Sequence, residues 1–165
     1  KYKEAEDVYR TIKISLQSQT LGDETGEFFI REMIARRKQF PKFSLTRFGS
    51  KLIDLTTGYG EKMGNIVYTM LAIIIVSAIL FGLDGVSYGD RIVAFKTMGT
   101  DGGYSYFETL VNLIYFSVVT YSTVGYGEIL PTGLLGKIVM MFEGMVGAIV
   151  MSILIIAMYK KTMDR

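Results

Sequence analysis

Two long stretches with almost no charge constrain the fold of this 165-residue chain more than any other feature. The first covers residues 63–83 without a charged side chain, and the second covers residues 138–159 with the single charge Glu143. A helix rises about 1.5 Å per residue, so each stretch forms a helix of about 30 Å, the thickness of the hydrocarbon core of a bilayer. We therefore predict an outer transmembrane helix over residues 63–83 and an inner transmembrane helix over residues 134–160.

A third uncharged run, residues 109–127, would count as another span on hydropathy alone. It is rich in serine and threonine, however, and two of its last five residues are glycines, which disfavour a helix. Backbone that re-enters a membrane is tolerated only where it lines a cavity within protein. The pattern predicts a re-entrant helix over residues 106–121 that leads into a non-helical segment over residues 123–127.

The non-helical segment reads Thr123-Val124-Gly125-Tyr126-Gly127. A dehydrated cation needs a cage of oxygens in place of its water shell, and backbone carbonyls supply one when successive residues point them to the same side. That arrangement requires left-handed or alternating dihedral angles, which glycine adopts without a Cβ penalty. Thr123 can add a hydroxyl oxygen, and Tyr126 can wedge its ring against the surrounding helices. The segment therefore has the residue types that such a cage requires.

The five residues and their flanks resemble the pore of tetrameric potassium channels of the two-transmembrane prokaryotic type. Residues 106–121 look like the pore helix of that family, residues 128–132 like its post-filter turn, and Gly136 with Lys137 like the start of its inner helix. Two positions depart from the family pattern, since Glu128 stands where aspartate is usual and Val119 where some members carry a glutamate. The resemblance covers roughly residues 63–160.

The resemblance implies an all-α membrane protein that works as a homotetramer, because one subunit of this kind cannot enclose a pore. It implies a selectivity filter at residues 123–127, with K⁺ coordinated by Thr123, Val124, Gly125 and Tyr126, and with Glu128 at the outer mouth. It also places a hinge at Gly147 in the inner helix. With Gly147 facing the base of the filter, helical spacing gives four residues that line the cavity and the inner gate: Ala148, Met151, Ile155 and Tyr159.

Glu143 lies about two turns into the inner helix, where a bare carboxylate is costly and therefore indicates a functional or structural role. We expect its partner on the pore helix, among Ser117, Thr120 and Ser122. Two roles stay open for Glu143, bracing of the filter and tuning of its gating.

Lysine and arginine are distributed unevenly along the chain. Residues 1–62 carry 12 of the 18 basic residues and the tail after Tyr159 carries three more, whereas the turret at residues 84–105 has only Arg91 and Lys96. The positive-inside rule then places both termini in the cytoplasm and the turret outside. We expect a multi-pass protein of the plasma membrane, with the lipid bilayer around it.

The first 62 residues divide into two parts. Residues 1–41 show helical periodicity that is interrupted at residues 23–26, which predicts a cytoplasmic hairpin of helices over residues 4–19 and 26–39. Residues 42–62 mix apolar and basic side chains, and they resemble the slide helix of inward-rectifier-type channels, lying in the membrane interface. Two roles stay open for the hairpin, an assembly element and a sensor or docking module.

Residues 58–61 repeat the sequence Gly-Tyr-Gly-Glu of residues 125–128. No apolar run precedes the first copy, and only a few residues separate it from the outer helix, which leaves no room for a re-entrant segment. We expect a glycine-rich turn there.

Composition excludes several classes of function. The chain has no cysteine and no histidine, so thiol chemistry and imidazole metal sites are absent, and its net charge of +2 does not favour nucleic acid as a partner. No nucleophile–base pair indicates an enzyme, and no cofactor is expected beyond permeant K⁺. The chain begins Lys-Tyr-Lys, which indicates a piece of a longer product and leaves room for a cytoplasmic partner or a regulatory region elsewhere.

The sequence thus predicts a potassium-selective channel with residues 63–165 as its pore domain. Two alternatives stay open. One is a non-selective cation channel, and the other, from a different class, is a membrane-anchored sensor or assembly module supported by the amphipathic start of the chain.

Overall fold

The computed structural model describes residues 1–18, 22–100 and 103–163. This part of the chain is mostly helical and divides into two compact units, Lys1–Thr69 with Ser152–Arg165, and Met70–Met151. The helices are, in chain order, α1 (Tyr2–Ser18), α2 (Gly22–Arg37), α3 (Leu45–Thr57), α4 (Met63–Asp84), α5 (Tyr106–Tyr121) and α6 (Leu134–Met163). Three short strands, β1 (Val86–Tyr88), β2 (Arg91–Val93) and β3 (Ile129–Pro131), lie in the second unit.

Helices α4 and α6 are long and apolar enough to cross a membrane. Only 28% of the apolar stretch of α4 and 17% of that of α6 is buried within the chain. A core helix of a soluble protein is mostly buried, so apolar surface on this scale indicates lipid or other protein around both helices. The two predicted spans correspond to these helices, although α4 continues to Asp84 and α6 to Met163.

Helices α1 and α2 of the first unit are held together by a buried carboxylate. Glu32 of α2 is 3% exposed and accepts hydrogen bonds from Lys13 Nζ at 2.7 Å and from Arg10 Nε at 3.0 Å, both on α1. Burial opposes ionisation of Glu32, but the hydrogen bonds from Lys13 and Arg10 outweigh that cost and hold its pKa below the usual value. The pair of helices is therefore fixed by charge as well as by apolar contact.

The predicted interruption of helix at residues 23–26 is wrong, because α2 begins at Gly22 and includes them. Acidic residues are favourable in the first turn of a helix, where they meet the positive end of its dipole, and Glu24 lies in the first turn of α2. The first helix ends at Ser18, and its predicted last residue, 19, lies outside the described residues. The second helix ends at Arg37, two residues earlier than predicted.

Helix α3 forms within the predicted interfacial segment and exposes its apolar face. Phe48, Leu52 and Leu55 are all more than half exposed, while Asp54 on another side of the helix pairs with Arg37 of α2 at 2.8 Å. After α3, residues 58–60 form a tight turn that leads to α4, as the sequence predicted for this glycine-rich stretch.

The second unit contains a small antiparallel sheet, so the predicted all-α class is wrong in this respect. Strand β1 pairs with β2 in the register Val86↔Val93 and with β3 in the register Val86↔Pro131. A two-residue turn, Gly89-Asp90, joins β1 to β2. Residues predicted as an irregular turret and a post-filter turn are thus tied into one sheet, whose apolar face packs against α4 and α5 through Phe81, Leu113 and Phe116.

The first turns of α5 and α6 are both fixed by hydrogen bonds to a neighbouring side chain. Ser105 Oγ accepts the Glu108 N–H and the Glu108 carboxylate accepts the Ser105 N–H, a capping box that starts α5. Asp84, the last residue of α4, accepts the Gly136 N–H in the first turn of α6 at 2.7 Å. These contacts fix where α5 begins and where the chain resumes a helix after residues 122–133.

Candidate functional site

The chain leaves α5 through a tight turn that is bonded to the helix it has just left. The Thr123 N–H donates to the Thr120 carbonyl at 3.0 Å, and the N–H groups of Val124 and Gly125 donate to the Val119 carbonyl at 3.2 and 3.4 Å. The amides of this segment are thereby directed toward the carboxyl end of α5. Carbonyls gathered at that end give it partial negative charge, which favours a cation nearby.

Backbone handedness alternates along residues 123–127. Thr123, Gly125 and Gly127 have positive φ angles of 58°, 58° and 80°, whereas Val124 and Tyr126 between them do not. A β-branched residue with positive φ costs about 1–2 kcal/mol, and such strain concentrates at functional sites. Because alternation turns every second peptide unit over, it suits a strand that points successive carbonyls to one side.

The carbonyl oxygens of residues 123–127 accept no hydrogen bond from any described residue. Residues 122–128 are all exposed, and a cavity of about 370 Å³ lies beside them, between α5 and α6. No group of three or more Asp or Glu side chains suited to a metal ion occurs in the described part of the chain. The oxygens that residues 123–127 offer to a cation are the neutral backbone carbonyls and the Thr123 hydroxyl.

Glu143 is buried, 1% exposed, and lies against α5. Its Oε1 is 2.5 Å from Ser117 Oγ, and Ser117 is one of the three partners that the sequence predicted. The same Ser117 hydroxyl lies 2.8 Å from the carbonyl oxygen of Ile74 in α4, a contact that the sequence did not predict. Ser117 therefore connects three helices, and the roles proposed for Glu143 stay predictions.

Gly147 lies at a close approach of α6 to the end of α5. A Cβ built at Gly147 would collide with the Tyr121 carbonyl oxygen, whereas one built at Gly144 would lie 3.9 Å from the Thr120 carbonyl oxygen, an ordinary contact. Helix α6 runs from Leu134 to Met163 as one element through both glycines. The structure thus gives close packing as a reason for glycine at 147, and the hinge stays a prediction.

The remaining predicted site residues are exposed in the single chain. Glu128 makes no ion pair with a described residue, and the four residues predicted to line the cavity and inner gate lie exposed on α6: Ala148, Met151, Ile155 and Tyr159.

Sequence reasoning missed a contact at the other end of α6. Lys160 Nζ forms an ion pair with Glu61, which directly precedes α4, and lies 5.8 Å above the ring of Phe29 in α2. All three residues belong to the first unit. The signal was the pair of opposite charges that flank the two apolar stretches, Glu61 before the first and Lys160 after the second.

A family model described as an ion channel matches residues 68–163. The chain belongs to this ion-channel family. The matched region covers most of α4, all of α5 and residues 122–133, and α6 to its last residue. No curated protein and no solved structure matches the chain significantly.

Membership of the ion-channel family makes the chain a channel protein of a membrane and not an enzyme. It agrees with the two exposed apolar helices, because an ion channel must present such surface to lipid. The family match also contains the segment of alternating handedness, so that segment is part of the channel region of the chain.

Proposed function

We propose that this ion channel is a potassium-selective pore whose filter is residues 123–127. The observation that carries the proposal is the alternation of positive φ at Thr123, Gly125 and Gly127 in a segment whose carbonyls have no partner among the described residues. Each unbonded carbonyl offers an oxygen that can replace one water of a K⁺ hydration shell. The Thr123 hydroxyl adds a further oxygen at one end.

A single strand supplies oxygens from one side only, so the proposal requires several copies around an axis. We propose a homotetramer, in which four filter strands and four α6 helices surround the pore. The exposure of residues 122–128 in one chain, and the exposed apolar residues of α6, supply surface that an assembly would cover. Lipid would cover the remaining apolar surface of α4 and α6.

The proposed topology follows from charge. Twelve of the 18 basic residues precede residue 63, and three follow Tyr159. The positive-inside rule places these segments in the cytoplasm, so the chain crosses a plasma membrane twice with residues 84–105 outside. We propose the two-transmembrane prokaryotic type because residues 106–137 resemble the pore of that family.

Ion flux into liposomes that contain purified protein tests selectivity. We expect K⁺ and Rb⁺ to pass, Na⁺ to be held back and Ba²⁺ to block, because carbonyl spacing in residues 123–127 decides all four outcomes. Equal flux of Na⁺ and K⁺ would support the non-selective alternative, and no flux of either ion in correctly assembled protein would reject the channel proposed here.

The number of subunits has its own test. Mass photometry and chemical cross-linking of detergent-solubilised protein should both give four chains per particle. A monomeric species that still conducts ions would contradict the tetrameric pore.

A second proposal concerns α1 and α2, which we propose act on α6. Lys160 of α6 contacts both Glu61 and Phe29, so a side chain near the end of α6 touches α2 and the segment before α4. Removal of residues 1–40 should change open probability in single-channel recordings and leave the K⁺/Na⁺ ratio unchanged. Loss of the tetramer would instead assign these helices to assembly, and unchanged open probability with normal assembly would reject both roles.

A further inference from the structure

One hydroxyl group joins α5 to the two long helices of its unit. Ser117 of α5 is 0% exposed, and its Oγ lies 2.8 Å from the Ile74 carbonyl oxygen of α4 and 2.5 Å from Glu143 Oε1 of α6. Residues 70–151 form one compact unit, so all three groups belong to the same body. Both distances are within the range of O–H···O hydrogen bonds.

Counting protons shows that the hydroxyl of Ser117 cannot donate fully to both neighbours. A serine hydroxyl has one proton, and a backbone carbonyl only accepts. If the Ser117 proton goes to the Ile74 carbonyl, the short contact with Glu143 is a hydrogen bond only when Glu143 donates. If the proton goes instead to an ionised Glu143, the Ile74 carbonyl faces the lone pairs of Ser117 at 2.8 Å, which is repulsive.

No cationic group faces Glu143 in the described part of the chain, and only serine hydroxyls could donate to a negative charge there. Its Oε2 has no hydrogen-bond partner among the described residues, and no described ion pair includes Glu143. The groups that face it are uncharged: Ser77 from α4, and Ser117 and Tyr121 from α5. An unpaired buried charge is far more costly than an unpaired neutral carbonyl oxygen, so the orphan Oε2 also favours the acid.

We infer that Glu143 is a neutral carboxylic acid that donates to Ser117 Oγ, while Ser117 donates to the Ile74 carbonyl, and that this chain of hydrogen bonds positions α5. Because α5 leads directly into residues 123–127, the consequence for ion conduction rests on the proposed function. The protonation state itself does not, and the two are measured separately.

Infrared difference spectroscopy of the purified protein at pH 7 tests the protonation state. Wild type minus Glu143→Gln should contain the C=O stretch of a carboxylic acid. The matched control is Glu27→Gln, which removes an exposed glutamate paired with Arg31 and should change only carboxylate bands. A Glu143→Gln spectrum that also changes only carboxylate bands would overturn the inference.

The Ser117→Ala variant tests the direction of the bond and decides the matter if Glu143→Gln fails to fold. Alanine removes the acceptor of the acid proton, so the carboxylic acid band should remain and shift in frequency. An acid band at the wild-type frequency in Ser117→Ala would show that Glu143 does not donate to Ser117, and absence of any acid band in wild type would overturn the proposal without a variant.

Two substitutions separate the hydrogen bond from the volume of the side chain. Glu143→Gln keeps the shape and a donor, whereas Glu143→Met keeps similar bulk without a donor. We expect Glu143→Gln to retain the melting temperature and K⁺ flux of wild type, and Glu143→Met to lower the melting temperature by several degrees and to reduce flux. Equal behaviour of the two variants would reject the positioning role. Absence of K⁺ flux in wild type would reject the proposed function and leave the infrared result standing.

Discussion

The tetrapeptide Gly-Tyr-Gly-Glu occurs twice in this chain and adopts two different backbone conformations. In the first copy, Gly58, Tyr59 and Gly60 have positive φ angles of 55°, 56° and 83° in succession. In the second copy, Gly125 and Gly127 have positive φ and the tyrosine between them does not. Consecutive left-handed residues close a compact turn, and the Glu61 N–H returns to the Gly58 carbonyl at 3.2 Å. In the second copy the handedness alternates, and its carbonyls accept no hydrogen bond from the described residues.

The side chains of the two copies differ as much as the backbones. The Tyr59 hydroxyl is 2.8 Å from Ser50 Oγ, and Glu61 pairs with Lys160. Tyr126 is 66% exposed, and Glu128 is exposed with no ion pair among the described residues. The first copy is therefore satisfied within its own chain, and the second presents its groups outward. Each copy is bonded to the helix before it in its own way. The last carbonyls of α5 accept the N–H groups of residues 123–125, whereas in the first copy the Gly58 N–H donates to the Asp54 carbonyl and the Lys62 N–H to the Thr57 carbonyl of α3.

The largest expected effect comes from a methyl group added to the second copy, with the same change in the first copy as the control. Gly125 and Gly60 both have positive φ, and an added Cβ meets nothing within 4 Å at either position, so the two substitutions differ in location and not in crowding. Alanine with positive φ costs about 1–2 kcal/mol. Gly125→Ala should abolish K⁺ flux into liposomes because the strain opposes the alternation that aligns the carbonyls. Gly60→Ala should leave selectivity unchanged.

The comparison would fail if Gly60→Ala abolished flux in assembled protein, or if Gly125→Ala conducted with normal selectivity. Tetramer yield of both variants, measured by mass photometry, is the control, since an assembly defect would otherwise imitate a filter defect.

Helices that begin and end at strong local signals could be predicted from the sequence. The capping pair Ser105 and Glu108 starts α5, and the predicted helix over residues 106–121 agrees with the structure at both ends. The spans α4 and α6 followed from two long stretches with almost no charge. The sheet was missed because each strand has three residues, and the register of β1 with β3 joins residues more than 40 positions apart, which no local pattern encodes.

The sequence predicted which residues form the candidate site better than it predicted their contacts. Spacing on a helix reduced the partners of Glu143 to three, of which the structure places Ser117 in contact, but the Ile74 carbonyl belongs to a backbone that sequence patterns do not position. The sequence identified Gly147 as a site residue. A glycine in the sequence does not show, however, whether it serves as a hinge or permits close packing against Tyr121. Whether four copies bring residues 123–127 around an ion stays a prediction.

Lowering the pH should reduce the stability of the unit that contains the first copy and leave ion selectivity unchanged. The pKa of Glu32 is held below its usual value in the folded chain, so its stabilising contribution is complete above the usual glutamate pKa of about 4.3 and is lost as pH falls through the lowered value. Glu32→Gln should remove about 1–2 kcal/mol at neutral pH, less than a fully buried pair, because Arg10 is 47% exposed. Thermal unfolding of wild type and Glu32→Gln from pH 7 to pH 3 measures both the pH dependence of stability and the loss caused by the substitution.

The matched control for Glu32 is Glu27→Gln, since Glu27 pairs with Arg31 at the surface and should change stability by less than about 0.5 kcal/mol. A wild-type stability that does not fall below pH 4 faster than that of Glu32→Gln would contradict the assigned role of the buried carboxylate.

A smaller effect on stability is expected from Tyr59, the tyrosine of the first copy. Tyr59→Phe removes the hydroxyl that bonds Ser50 and should cost about 0.5–1.5 kcal/mol of stability, with K⁺/Na⁺ selectivity unchanged. Ser50→Ala is the matched variant. The double substitution should cost little more than Tyr59→Phe alone, because Tyr59→Phe already removes the bond to Ser50 along with the longer one from Arg37. Additive losses would show that Tyr59 and Ser50 stabilise the first copy independently.

The smallest effect concerns Glu61 and Glu128, the last residues of the two tetrapeptides. Glu128 is exposed and unpaired among the described residues, so in the proposed tetramer four of these carboxylates would raise the K⁺ concentration near the filter. The Debye length is about 30 Å at 0.01 M salt and about 8 Å at 0.15 M, so this attraction matters only in dilute salt. Glu128→Gln should lower K⁺ conductance by less than about twofold at 0.01 M and leave it unchanged at 0.15 M.

Glu61→Gln is the control, because the charge of Glu61 is already balanced by Lys160 and its loss should not give a salt-dependent conductance. If Glu61→Gln lowered conductance in dilute salt as Glu128→Gln does, the two copies would not differ in their access to permeant ions. A change of open probability in Glu61→Gln, without a change of conductance, would instead agree with a contact that holds the end of α6, since the ion pair joins α6 to the segment before α4.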